Sequence, residues 1–130
     1  MTKPVAEPRR KRVLVADDNA DVRQLWRAYL TVTGYDVSGA SNCQEAIDRA
    51  IEDAPDVILM DFSMPGMDGA EAARALKADP RTAGIPVVGL TGHGAAAGEH
   101  DFHQVCAVVL EKPLRPEAVL AALGRALEPR

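Results

Sequence analysis

Five residues that could carry out chemistry stand at or just beyond the end of short apolar runs: Asp17, Asp18, Asp61, Thr91 and Lys112. Three carboxylates, a hydroxyl and an ammonium around one pocket are the groups that phosphoryl transfer requires. One carboxylate can attack phosphorus as a covalent nucleophile, while positive charge neutralises the phosphoryl oxygens and the hydroxyl donates a hydrogen bond. These residue types therefore predict a phosphoryl-transfer site, provided that the fold brings the five positions together.

The three aspartates also predict a bound cation. Neighbouring strands lie about 4.8 Å apart, so Asp17 and Asp18 at the end of one strand would crowd Asp61 at the end of the next. Like charges at that range cannot all stay ionised without compensation. Mg²⁺ suits two or three carboxylates with retained waters, and Lys112 would add a second positive charge. Because Asp61 stands alone after the most apolar run, we predict that it is the nucleophile and that the acidic pair binds the metal.

Apolar runs alternate with helical patterns along the chain. The runs predict strands at residues 13–16, 35–38, 57–60, 86–91 and 105–110. Helices are predicted from residue 22 to a cap at Gly34, at 41–54, at 68–77 and from Pro116. Three glycines in residues 92–104 predict that the fourth helix is short, late or mobile. This alternation predicts an α/β fold, a flavodoxin-like doubly wound sheet of five parallel strands with helices on both faces. Ligands of such sheets bind beyond the carboxyl ends of the strands, and every strand except the second leads into a polar site residue. The strand order 2-1-3-4-5 is therefore predicted, because it places the first, third, fourth and fifth strands side by side.

Two helices carry more detailed predictions. The apolar positions of the first helix recur at helical spacing and predict its inner face: Val22, Leu25, Trp26, Tyr29 and Val32. The second helix could be capped in either of two ways, by Ser41 with Gln44 or by Asn42 with Glu45.

Charge is distributed unevenly. The whole chain has a formal net charge of −4 and residues 1–12 contribute +4, so residues 13–130 carry −8. We predict a basic flexible tail over residues 1–11 and one domain over 12–130. An acidic domain disfavours nucleic acid as a partner and suits cations. No signal peptide or membrane-spanning run is recognisable in the sequence, so we expect a cytoplasmic protein without a membrane partner.

Four stretches resemble the receiver domain of two-component response regulators, over roughly residues 11–128. They are residues 13–19 (VLVADDN), 61–69 (DFSMPGMDG), 90–92 (LTG) and 110–113 (LEKP). The resemblance implies that Asp17 and Asp18 bind Mg²⁺ and that Asp61 is the phosphoacceptor. It further implies that Ser63 lends the metal its backbone carbonyl, that Thr91 is the switch hydroxyl, and that Lys112 pairs with phosphate before a cis proline.

The same resemblance implies a signalling domain rather than an enzyme, one that catalyses only its own phosphorylation and dephosphorylation. Its phosphoryl donor would be a sensor histidine kinase or a histidine phosphotransfer protein. Because the sequence ends at Arg130, we expect a stand-alone receiver that acts on an unknown downstream protein target or as a phosphate shuttle or sink. Two alternatives stay open: an interaction module that does not depend on phosphorylation, and a small phosphatase, which Ser63 in place of a second aspartate disfavours.

Two positions depart from the family pattern. Val109 stands where the family usually has an aromatic residue, and Gly92 stands where alanine is common. Valine has few rotamers and no ring to swing inward. We therefore expect the phosphorylated state to be signalled by ordering of residues 92–104, in which Gly94 and Gly98 also lie.

Overall fold

The computed structural model describes residues 10–64, 66–92 and 99–128. Strands and helices alternate within these residues: β1 (Arg12–Ala16), α1 (Ala20–Val32), β2 (Asp36–Ala40), α2 (Cys43–Asp53), β3 (Val57–Asp61), α3 (Gly69–Ala78), β4 (Val87–Thr91), α4 (Glu99–Val105), β5 (Val108–Glu111) and α5 (Pro116–Ala126). No helix in these ranges combines the length and the apolar character of a membrane span.

The five strands form one parallel sheet in the order β2-β1-β3-β4-β5, which confirms the predicted fold and strand order. Successive side chains of a strand point to opposite faces, so each strand supplies two cores. Leu14, Ile58 and Met60 pack with α2, α3 and α4 on one face. Val15 and Leu59 pack with α1 and α5 on the other. Both faces are covered, and for that reason every residue of β3 and β4 is buried.

Side-chain caps begin three of the helices. Asn19, Asn42 and Asp68 each accept a hydrogen bond from a backbone N–H in the first turn of α1, α2 and α3. Of the two caps considered for α2, the structure has the one at Asn42. The Glu45 carboxylate does not close the box on Asn42 but accepts the N–H of Ser41, at 3.2 Å.

The predicted inner face of α1 is partly wrong. Leu25 and Val32 are 70% and 87% exposed, whereas Leu30, absent from the predicted stripe, is fully buried. Leu25 and Val32 are seven residues apart and so point in nearly the same direction from the helix axis. The buried face is rotated away from that direction, toward Leu30 and Trp26. Gly34 follows the helix at a φ of +107°, as its predicted capping role requires.

The predicted start of the fifth strand is also wrong. Val105 ends α4, and β5 begins only at Val108. The N–H of Cys106 still donates to the carbonyl of Phe102, so the helical turn continues past Val105. An unbroken apolar run from 105 to 110 contains no signal for that boundary. The described part of α4 is seven residues long. Residues 1–9 of the predicted basic tail, and Gly94 and Gly98 of the predicted ordering segment, lie outside the described residues.

Phe102 anchors α4 in the core through unusually close packing. Its fully buried ring lies 5.1 Å from the ring of Phe62, centroid to centroid. A Cβ added to Gly89 would lie 2.6 Å from Cζ of Phe102, and one added to Gly69 would lie 2.8 Å from Cα of Phe62. Gly89 therefore leaves the space that the ring of Phe102 occupies, and Gly69 allows close approach of the Phe62 backbone.

We predict that Gly89→Ala lowers the free energy of unfolding by about 1–3 kcal/mol, because a buried ring would have to move in a close-packed core. Gly84→Ala is the matched control, since a Cβ there meets nothing within 4 Å. Urea unfolding of both variants measures the difference. Equal stability of the two would contradict the packing argument, and Phe102→Leu should partly restore the stability of Gly89→Ala.

Candidate functional site

Three carboxylates converge where β1 and β3 end. Asp17 directly follows β1 and Asp61 is the last residue of β3, and the parallel register places Ala16 opposite Met60. One carboxylate oxygen from each of Asp17, Asp18 and Asp61 lies within 4.8 Å of the others. The structure thus brings together the three acidic residues that the sequence singled out. Asp17 and Asp61 are buried, and Asp18 is exposed.

Backbone N–H groups hold the two buried carboxylates. The N–H of Asn19 donates to Oδ1 of Asp17 at 2.9 Å, and the N–H of Ser63 donates to Oδ1 of Asp61 at 3.1 Å. Each bond is donated from two residues further along the chain, the geometry of an Asx turn. These turns direct the two carboxylates into the same pocket and partly compensate their charge.

Lys112 reaches the pocket from the end of β5. Its Nζ lies 3.2 Å from Oδ2 of Asp61, while its backbone N–H donates to the carbonyl of Thr91 at 2.7 Å. The second bond fixes the backbone of Lys112 against β4. The side chain that carries the ammonium to Asp61 therefore starts from a fixed backbone position. The peptide bond between Lys112 and Pro113 is cis.

Thr91 ends β4, which pairs with the strand that carries Asp61. Its side chain is 1% exposed, and its Oγ1 has no hydrogen-bond partner among the described residues. A buried hydroxyl without a partner destabilises a folded protein by about 1–3 kcal/mol. Such a donor is suited to an acceptor atom that arrives at the pocket.

The surroundings of Asp17 oppose its ionisation. Burial raises the pKa of this carboxyl above its ordinary value, and the charges of Asp61 and Asp18 raise it further. The hydrogen bond from Asn19 and the charge of Lys112 act in the opposite direction. Burial is the largest of these effects, and the neighbouring carboxylates add to it, so the pKa of Asp17 lies above its ordinary value despite the hydrogen bond from Asn19 and the charge of Lys112.

The donor set fits a hard divalent cation. All three clustered ligands are carboxylate oxygens, which Mg²⁺ prefers, and their mutual repulsion would be relieved by such an ion. Ser63 adjoins the cluster through its hydrogen bond to Asp61. The residues present therefore match the group that the sequence led us to expect.

The family model for the response regulator receiver domain matches residues 13–124. The chain belongs to this family. The match covers all ten strands and helices except the first residue of β1 and the last two of α5. Receiver domains are signalling domains of two-component systems, and the acidic pocket described above is where such domains generally bind Mg²⁺.

Individual relatives agree with this assignment. Chemotaxis protein CheY of Thermotoga maritima is 37% identical over 123 residues, which cover 88% of this chain and 96% of CheY. Phosphate regulon transcriptional regulatory protein PhoB of Pseudomonas aeruginosa is 35% identical over 118 residues, which cover 90% of this chain but 52% of PhoB. The chain thus spans about half the length of PhoB. The structure of chemotaxis response regulator CheY4 of Vibrio cholerae superposes with a TM-score of 0.83 at 31% identity, covering 92% of this chain and all of CheY4.

Two residues of this receiver site were not predicted from the sequence. Asn19 both caps α1 and donates its N–H to Asp17. An asparagine immediately before a helical pattern is a capping signal, so its role could have been found. Arg23 donates from Nη1 to the backbone carbonyl of Asp17 at 2.8 Å. Nothing in its spacing from Asp17 predicts that contact.

In the presence of a chelator, Asp17→Asn should raise the melting temperature at neutral pH. The amide keeps an oxygen that can accept the Asn19 N–H but removes a charge that burial and the neighbouring carboxylates oppose. Because the Asp17 pKa is raised above 3.8 in the folded state, folded parent protein binds this proton more readily than the unfolded chain. The ionised carboxylate therefore destabilises the parent above the folded-state pKa, and the advantage of the variant should vanish as pH falls below 3.8.

Thermal unfolding from neutral pH downward measures this effect. Asp48→Asn, at an exposed position of α2, is the control and should change the melting temperature little at any pH. A lower melting temperature of Asp17→Asn at neutral pH would refute the repulsion argument.

Proposed function

We propose that this receiver domain, over residues 12–130, accepts a phosphoryl group on Asp61 in a magnesium-dependent reaction. The observation that carries the proposal is the convergence of a buried Asp61 carboxylate with two further carboxylates and the ammonium of Lys112. Two of the three clustered carboxylates are buried, and acidic groups held together in this way are candidates for a functional site. Among the three aspartates, Asp61 is the one whose carboxylate pairs with Lys112, which supports it as the phosphoacceptor.

The transfer follows from the groups in the pocket. A carboxylate oxygen of Asp61 forms a bond to phosphorus as the bond between phosphorus and the donor nitrogen breaks, and the electron pair leaves with the donor imidazole. Lys112 moves from pairing with the carboxylate to pairing with phosphoryl oxygens. Asp17, Asp18, Asp61 and the backbone carbonyl of Ser63 would hold Mg²⁺, which would add positive charge to those oxygens. The free hydroxyl of Thr91 donates a hydrogen bond to the phosphoryl group.

We propose a sensor histidine kinase or a histidine phosphotransfer protein as the donor, and a protein contact or a phosphate sink as the output. The −8 charge of residues 13–130 supports a protein partner over nucleic acid. The chain acts as a signalling domain that catalyses only its own phosphorylation and dephosphorylation. We propose the cytoplasm as its location. Incubation with a panel of phosphorylated kinases from its own organism identifies the donor.

Incubated with Mg²⁺ and acetyl phosphate, the protein should gain one phosphoryl group that is stable in acid and labile in base. Asp61→Asn should abolish the gain because the amide cannot act as the nucleophile. Intact-mass spectrometry measures the labelling, and Asp48→Asn should label like the parent. Full labelling of Asp61→Asn would refute the acceptor assignment, and an unlabelled parent would favour the interaction module that does not depend on phosphorylation.

Thr91→Val should stabilise the unphosphorylated protein by about 1 kcal/mol, because it removes a buried hydroxyl without a partner and keeps the shape of the side chain. Addition of Mg²⁺ and beryllofluoride, a phosphoryl mimic, should raise the melting temperature of the variant less than that of the parent. Thr82→Val is the matched control, because the buried Thr82 hydroxyl donates to the carbonyl of Leu76 at 2.6 Å. That variant should lose stability and keep the full beryllofluoride response. A loss of stability in Thr91→Val would show that its hydroxyl has a partner.

A further inference from the structure

The three carboxylates of the pocket are not held equally. Asp17 receives the N–H of Asn19, and Asp61 receives the N–H of Ser63 and the ammonium of Lys112. No hydrogen bond from a described residue holds the carboxylate of Asp18, which is exposed. Its direction therefore depends on the orientation of its own backbone, and above all on the peptide group that joins it to Asp17.

That peptide group is fixed by Arg23. Nη1 of this residue, in the second turn of α1, donates to the carbonyl oxygen of Asp17 at 2.8 Å. On the other side of the residue, the N–H of Asp17 donates to the carbonyl of Ala40 at 3.0 Å. Both ends of the Asp17 backbone are thus anchored, one to β2 and one to α1. Rotation of the peptide plane after Asp17 would break the bond to the guanidinium.

The stem of Arg23 is itself guided by β2. A Cβ built on Gly39 would lie 3.4 Å from Cδ of Arg23 and 3.6 Å from its Cγ and Nε. The stem therefore lies over a glycine, where a methyl group could just be accommodated and a larger side chain could not. No carboxylate of a described residue forms an ion pair with Arg23, so a backbone carbonyl is the partner toward which the guanidinium is directed.

We infer that Arg23 is a positioning residue for metal binding, one that orients the Asp18 carboxylate through the Asp17–Asp18 peptide group. This inference rests on the proposed magnesium site. Groups that orient ligands without touching the metal commonly change metal affinity by about tenfold or more when they are removed. The guanidinium is well suited to the task because it presents several N–H donors in a rigid plane.

Charge alone predicts the opposite effect. Removal of a nearby positive charge should strengthen cation binding, because less repulsion opposes the ion. A loss of magnesium affinity on removal of Arg23 therefore cannot be a field effect. Arg27 lies one turn further along the same helix and lines the same groove as Arg23. The hydrogen bond to the Asp17 carbonyl comes from Arg23 and not from Arg27. Its removal changes the charge equally and leaves the peptide group untouched.

The test is calorimetric titration of Mg²⁺ into the chelator-treated full chain, below the melting temperature and at constant ionic strength. Arg23→Met keeps an apolar stem over Gly39 and loses the donor, and we expect about tenfold weaker binding. Arg27→Met should bind Mg²⁺ as tightly as the parent or more tightly. Arg23→Lys, which keeps one donor group, should recover part of the affinity.

A second pair of variants leaves residue 23 unchanged. This pair tests the role of Arg23 in Mg²⁺ binding even if Arg23→Met does not fold. Gly39→Leu should displace the arginine stem and weaken Mg²⁺ binding, whereas Gly39→Ala should bind like the parent. Parent-like affinity in Arg23→Met or Gly39→Leu, or an equal loss in Arg27→Met, would overturn the inference while leaving the magnesium site intact. A parent that binds no Mg²⁺ would overturn the proposed site and this inference together.

Discussion

Mutual repulsion of three carboxylates within 4.8 Å of one another is the constraint on which this end of the molecule depends. Two backbone N–H groups and one ammonium act against it, and burial strengthens every one of these interactions. Burial first, and the neighbouring carboxylates second, raise the pKa of Asp17. The folded sheet therefore holds together charges that would separate in a looser structure, which is the arrangement that the proposed cation would stabilise.

Such a pocket needs a rigid frame, and the parallel sheet provides one. Asp61 lies opposite Leu90, and Thr91 lies opposite Glu111. Asp61 and Thr91 thus end two strands, and Lys112 follows a third, in fixed register. The frame is rigid because β3 and β4 are buried along their whole length and cannot shift without exposing apolar surface. Each reactive group then needs only one residue at a strand end, and this is why so few residues carry the chemistry.

Because each reactive group is one residue at a strand end, the sequence could predict these residues. Polar residues that end apolar runs identified all three carboxylates, Thr91 and Lys112, because strand ends are visible as changes in residue type. Contacts that depend on helix rotation were not visible: the exposure of Leu25, the burial of Leu30 and the reach of Arg23 all follow from how α1 sits on the sheet. The start of β5 could not be predicted from the sequence either. Val105 and Val108 are equally apolar, and only tertiary packing places the first in a helix and the second in a strand.

Two of the five aromatic residues, Phe62 and Phe102, pack on the face of the sheet that α4 covers. Val109 on β5 is only partly buried, and it packs against the same cluster as Phe62 and Phe102. The ring of Phe102, on α4, lies against Gly89, two residues before Thr91. Phe62 directly follows Asp61 and contacts the same ring. A close-packed core transmits small displacements rather than absorbing them. The strand that carries Asp61 and the strand that carries Thr91 are therefore both coupled to α4 through Phe102.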